Sequence, residues 1–297
     1  PLLVMPRERR AFVLALVAEE GAERNQVFGR GREAKLQGVG ELMAEMAVEG
    51  AERLSQVLAP AGALGPVGLG EVDGHHARIT DARRLTHLHE VHRANEGDRL
   101  TVGIQGGAMG KATLTELNKT QALFALEDIN EPPPPALPVH LVLALPRPRM
   151  LARTLEHVTA LGVKEITLLH TKRVEKSYWQ SPELRPEKIH QHLILGLEQA
   201  RDTQLPNVTL CKGFRPFMEE QLPALLTERR GLVAHPGMEN ACPRGIDEPT
   251  LLLVGPEGGF IPWEVEQLLT AGCEGMHLGP RILRVETAVT ALLSRLF

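Results

Sequence analysis

Along the second half of the chain, short continuous apolar runs alternate with longer stretches in which apolar residues recur every three or four positions. The run at 139–146 (VHLVLALP) predicts a buried strand, and 163–171 (VKEITLLHT), NVTLCKG, RGLVAHP, TLLLVG and GMHLG predict further strands. The stretches at 149–162 and 185–201, a helix opening at Pro262 and running through Val265, Leu268 and Leu269, and a last one over RILRVETAVTALLSRL, predict helices. Strand and helix in alternation predict a mostly parallel α/β sheet covered on both faces. Ligands of such sheets gather at the carboxyl ends of the strands.

The first half reads differently. HARIT, DRLTVGIQGG, GKATLTELNK and QALFALEDI are short strand candidates separated by Gly, Asn and charged turns. A hairpin turned at Gly106 and Gly107 among them predicts a small β-barrel. Asn130 to Pro138 (NEPPPPALP) contains four consecutive prolines, which cannot join a helix or a central strand, and marks a domain junction. Residues 58–74 are rich in Gly and Pro and read as a connector, and 32–57 as an amphipathic packing helix. The division expected is a helical extension over 1–65, a barrel over 66–131 and an α/β domain over 139–297.

Composition narrows the function classes. A chain of 297 residues, 43% hydrophobic and 24% charged, can bury a sizeable core, yet no apolar run approaches the roughly 20 residues of a membrane span. PRERRAFVLALVAEE imitates a signal peptide, but the stretch Ala11 to Ala18 runs into Glu19 and Glu20 with no small-residue cleavage site. An amphipathic segment of a cytoplasmic protein is expected instead. The start at Pro1, without methionine, is read as processed or incomplete. Cys211, Cys242 and Cys273 are widely spaced, which suggests neither a disulfide framework nor a cysteine zinc site and fits a reducing compartment. His87, His89 and His92 have no third ligand type grouped with them, and His190 and His192 point to different sides of a helix, so no metal is expected. With a formal net charge of −4, any contact with nucleic acid must come from local patches.

Two glycine turns carry the candidate chemistry. GPEGGF stops the apolar run Leu251 to Val254, and LGPRILRVETA begins on the last two residues of GMHLG, Leu278 and Gly279. Glycine lets the backbone approach a ligand closely. Neither turn matches the GxGxxG dinucleotide fingerprint or the GxxxxGK[ST] phosphate loop. The residues alone therefore predict a small-molecule site between two adjacent loops.

GPEGGF followed by LGPRILRVETA closely resembles the signature of the RsmE-type RNA methyltransferases of the SPOUT superfamily, which move a methyl group from S-adenosylmethionine to N3 of a uridine in small-subunit (16S) ribosomal RNA. The resemblance spans about residues 66 to 297: TDARRLTHLHEVHRANEGDRLTVGIQGG is similar to the family's PUA-like barrel, ALGVKEITLLHTKR and LEQARDTQLPNV to two inner stretches. Ile261 stands where the family often has a helix-capping Ser, Ala160 where a Glu is usual, and the Gln199 to Arg201 spacing is one residue tighter. Residues 1 to about 60 have no counterpart. The resemblance implies a SPOUT trefoil-knot domain preceded by the PUA-like barrel, a homodimer, and ribosomal RNA or the small subunit as partner, with no metal and no membrane.

It also implies site residues. Leu253, Gly255, Pro256, Glu257, Gly258, Gly259, Leu278, Gly279, Ile282, Leu283, Thr287 and Ala288 would surround the methyl donor. Negative charge growing on the uracil carbonyls as N3 loses its proton calls for a cation, Arg284 or Arg281, with Glu286 orienting it or helping to remove the proton. Arg284 and Glu286 are equally a structural pair fixing a helix start. Candidate RNA contacts are Arg83, Arg84 and Arg93 in the barrel, and Arg147, Arg149, Arg173 and Arg201 beyond it, together with Arg78, Arg99, Lys111 and Lys172. Two alternatives stay open: a SPOUT methyltransferase with another RNA target, and a non-catalytic RNA-binding assembly factor.

Overall fold

The computed structural model describes residues 12–13 and 71–297. The helix expected over 32–57 and most of the connector at 58–74 lie outside the described residues. Phe12–Val13, read from sequence as part of a helical extension over 1–65, is instead a strand of the first sheet, and Glu71–Asp73, at the end of the expected connector, is a strand as well.

Six antiparallel strands form the first sheet: β1 Phe12–Val13, β2 Glu71–Asp73, β3 His76–Ile79, β4 Arg99–Ile104, β5 Met109–Leu117 and β6 Ala122–Leu126, in the order β1-β4-β5-β6-β3-β2. Alternate residues point inward and form a core of Ile79, Val102, Leu114 and Phe124. Between β3 and β4, where no strand was expected, the chain is helical. Helix α1, Ala82–Thr86, continues as a wider turn through His87–His92. Asp81 caps it by accepting from the Arg84 amide, and Leu85 and Leu88 close the sheet's core, so burial of that apolar pair explains the helix.

The second sheet is all parallel: β7 Val139–Ala144, β8 Glu165–Leu169, β9 Asn207–Cys211, β10 Arg230–Ala234, β11 Asn240–Ala241, β12 Thr250–Val254 and β13 Glu274–His277, in the order β11-β13-β10-β12-β7-β8-β9. The inner strands β7, β8, β10 and β12 are near-continuous apolar runs because both their faces are buried, whereas the edge strands β9 and β11 are largely exposed. Leu141 and Leu143 of β7 with Leu252 and Val254 of β12 enter one core, while Val142, Leu251 and Leu253 enter the other. The first core is covered by α2 Pro148–Ala160, α3 Pro186–Ala200 and α7 Val285–Leu296. The second is covered by α4 Phe214–Pro216, its continuation Phe217–Gln221, α5 Leu222–Glu228 and α6 Pro262–Thr270.

One expectation needs correction, and one helical segment had not been read. The last helix starts at Val285, not at Arg281, and residues 281–284 are non-helical. The run from Phe214 to Glu228 is helical although the apolar pattern had not marked it.

The proline stretch is an extended link, bridged at Glu131 to Met109. The sheets on either side belong to one compact unit. The Gly106 amide donates to Thr203 O at 2.8 Å, and the Thr203 hydroxyl returns a bond to Gly107 O at 2.5 Å.

Candidate active site

Sheet order decides which loops meet. Strand β10 lies between β12 and β13, so the two glycine turns are not adjacent, as the sequence had implied. The segment after β10, with Ala234, His235 and Pro236, sits between them and completes an open cleft enclosing about 680 Å³, its solvent-facing mouth included. The chain leaves β7 toward β8 and β9 on one side, and β12 leads toward β13 on the other. The cleft therefore lies beside the point where strand order reverses, the usual ligand position in such sheets.

Each wall has a local cause. After β12, the Gly259 amide closes a turn onto Pro256 O at 2.7 Å, with Gly259 at φ +70°. A Cβ on Gly255 would lie 2.9 Å from the Phe260 amide nitrogen, so only glycine fits that tight a return. Pro262 opens α6, and Ile261 offers no capping oxygen. Glu264 supplies only the reverse half of a capping box: buried at 2% exposure, it accepts from the Ile261 amide at 2.9 Å and from the Lys172 amide at 2.7 Å. One carboxylate thus ties the GPEGGF turn to the loop after β8. Arg173 adds a bond to Gly258 O, and Glu257 turns its carboxylate to the Arg147 amide at 3.0 Å. After β13, Gly279 at φ +115° donates its amide to His277 Nδ1 at 2.9 Å and fixes the second turn.

Of the residues expected around the donor, Gly255, Pro256, Glu257, Gly259, Leu278, Gly279, Ile282, Leu283 and Ala288 line the cleft. Leu253 does not; it is fully buried in the core behind. Gly258 faces Arg173, and Thr287 is exposed on the first turn of α7. Ile282 is 83% exposed although it lines the cleft, an apolar side chain open to solvent at the cleft wall.

Arg281 lines the cleft, whereas Arg284 stands at the start of α7 and Glu286 in its first turn, both outside the lining. None of the three forms an ion pair among the described residues, so the structural pairing of Arg284 with Glu286 is not seen.

His235 was missed by sequence reading. Its Nδ1 is buried without a partner, its ring lies against Gly259, and burial, with the Arg173 charge second, lowers its pKa and favours the neutral imidazole. Nothing in RGLVAHP marks it, because its importance comes from β10 lying between two distant segments. The RNA candidates also sort themselves. Arg84 is 1% exposed and bound to Glu198, which removes it from the surface, and Arg83 shares that carboxylate. Arg99 pairs with Glu127. Arg93, Arg147, Arg149, Arg173 and Arg201 are exposed.

The cleft residues suit a small donor with an aromatic base and a ribose: glycine-lined backbone, exposed apolar side chains and one unpaired imidazole. Comparison with known proteins agrees. Residues 133–297 match the family model for an RNA methyltransferase domain. The chain is 31% identical over 218 residues to the ribosomal RNA small subunit methyltransferase E of Treponema pallidum, covering 70% of this chain and 80% of that one. It is 30% identical over 223 residues to the protein of the same name from Synechocystis, covering 72% and 70%. The fold matches the crystal structure of a ribosomal RNA small subunit methyltransferase E from Neisseria gonorrhoeae bound to S-adenosyl methionine. The TM-score there is 0.59 at 24% identity, over 77% of this chain and 92% of that one.

Proposed function

We propose, on the premise that this chain belongs to the ribosomal RNA small subunit methyltransferase E family, that it methylates N3 of one uridine of small-subunit ribosomal RNA. As a member of that family it is an S-adenosylmethionine-dependent rRNA methyltransferase. The choice of uridine N3 is the finer reading. Family membership supports that choice, and the observation that supports donor binding is the cleft in which β10 brings His235 between two glycine turns.

When bound, the donor supplies a methyl group made electrophilic by its sulfonium, so the protein's task is alignment and charge stabilisation. The backbone of Gly255 to Gly259 and of Leu278 to Leu283, with the apolar side chains of Ile282 and Leu283, would hold the adenosyl part. His235, neutral, supplies one directed hydrogen bond to a donor hydroxyl or amine. Arg281, on the cleft wall, or Arg284, at the start of α7, faces the negative charge that spreads over the uracil carbonyls as N3 loses its proton. Glu286 assists that proton's departure or orients the arginine.

Family resemblance supports three further features of this reading: a trefoil knot around the cleft, a homodimer, and a PUA-like character for the first sheet. A base paired within ribosomal RNA must be splayed out to reach the cleft.

Two measurements test the function. Calorimetry should show saturable binding of S-adenosylmethionine. Reverse transcription of small-subunit RNA, treated either deproteinised or as assembled subunits, should stop at one uridine, because a methyl on N3 blocks pairing. Absence of donor binding would sink the enzyme reading in favour of an assembly factor, and a stop at another base would sink uridine N3 in favour of another RNA target.

A further inference from the structure

Outside the cleft, one half of the sheet's carboxyl edge is cationic. The connections after β7, β8 and β9, residues 145–149, 170–180 and 212–214, carry Arg147, Arg149, Lys172, Arg173, Lys176 and Lys212 against one carboxylate, Glu175. These strands are neighbours in the sheet, so the six charges share one edge. All six are exposed, and none forms an ion pair among the described residues. Glu175, the one carboxylate within these connections, accepts the Tyr178 hydroxyl at 3.1 Å, and the neighbouring Glu257 and Glu264 accept the Arg147 and Lys172 amides.

The shelf has a built support. Trp179, half-buried, donates its indole N–H to His170 Nδ1 at 2.8 Å, and Lys212 Nζ stands 5.9 Å from the centre of the Trp179 ring. Tyr178 is the chain's sole tyrosine and Trp179 one of its two tryptophans, so scarce aromatics are concentrated beneath these cations. Arg173 reaches Gly258 O, where the shelf meets the cleft. By contrast, Arg83, Arg84 and Arg99 in the first sheet are consumed by Glu198 and Glu127.

A chain of net charge −4 that holds six neighbouring cations outside any ion pair among the described residues sets up a local positive field suited to a polyanion. We propose that this shelf, formed by Arg147, Lys172, Lys176 and Lys212 along the ends of β7, β8 and β9, binds the phosphate backbone of the substrate RNA and leads the target base into the cleft. The proposal rests on the methyltransferase reading and moves the main grip from the barrel to the catalytic domain. Lysine contacts a phosphate as a point charge and releases a counterion, so its contribution is read in the salt dependence of binding.

The test uses the full chain with a protein-free transcript of small-subunit ribosomal RNA, comparing wild type with the triple variant K172A/K176A/K212A. The variant should lower the slope of log K against log salt by about two, at roughly 0.7 to 0.9 per phosphate contact. It should also raise the KM for RNA about tenfold or more while leaving S-adenosylmethionine affinity unchanged. The K172R/K176R/K212R variant should restore both. An unchanged slope and KM in the alanine variant, or an arginine variant as weak as the alanine one, would overturn the shelf while leaving the proposed function standing. Failure of the wild type to bind S-adenosylmethionine would instead bring down the function.

Discussion

At the scale of single residues, His235 has the surroundings that most demand a ligand. A buried polar atom without a partner costs about 1–3 kcal/mol, and a hydrogen bond from the methyl donor would remove that cost. His235→Ala is expected to weaken S-adenosylmethionine binding about tenfold, worth roughly 1.4 kcal/mol, by calorimetry at pH 7.5. Unchanged affinity would show that the imidazole does not meet the donor. His140 acts on stability instead. On β7 it bonds Thr167 Oγ1 at 2.8 Å, and burial, with the Arg229 charge second, pushes its pKa from 6.5 down to about 4. The unfolded chain takes up this proton near 6.5 and the folded one only near 4, so stability is full above that window and falls as pH drops through it. About 2 kcal/mol should be lost between pH 7 and pH 5, measured by urea unfolding, and His140→Gln should flatten that slope.

At the scale of elements, α6 shows a helix start secured from within. With isoleucine at the capping position, Glu264 supplies only the reverse half of a capping box and also holds the Lys172 amide. Glu264→Ala should cost about 1–3 kcal/mol, seen in thermal unfolding, since it strips two backbone donors at once. It should weaken donor binding too, because the GPEGGF turn loses its tie to the loop after β8. An effect on stability without one on donor affinity would show that the tie does not shape the cleft. Helix α7 illustrates the opposite limit of pattern reading. Its apolar spacing extends back to Leu283, yet Ile282 and Leu283 line the cleft, and the helix waits until Val285. Periodicity reports which residues avoid water, not whether a helix or a ligand covers them.

At the scale of the whole molecule, the two sheets are joined at α3. Glu198 accepts from Arg83 and from buried Arg84, the latter through Nε at 2.8 Å and a terminal nitrogen at 2.7 Å. Removing one partner of such a pair leaves an uncompensated buried charge, so Glu198→Ala should destabilise the chain by roughly 3–5 kcal/mol in urea unfolding. Replacing Arg84 by Met in the same chain should recover much of the loss; no recovery would mean that Glu198 matters for another reason. The sequence by itself determined the alternation of strands and helices, the hairpin at Gly106 and Gly107, and the two glycine turns, because each is written in local periodicity and in residues with special backbone freedom. It also carried the family, through GPEGGF and LGPRILRVETA. Only the tertiary structure decided that β10 separates those turns and brings His235 between them, that Arg84 is buried against Glu198, and that six cations from three connections share one edge. Those facts depend on strand order, and strand order is set by how distant apolar faces pack together, which no local stretch of sequence records.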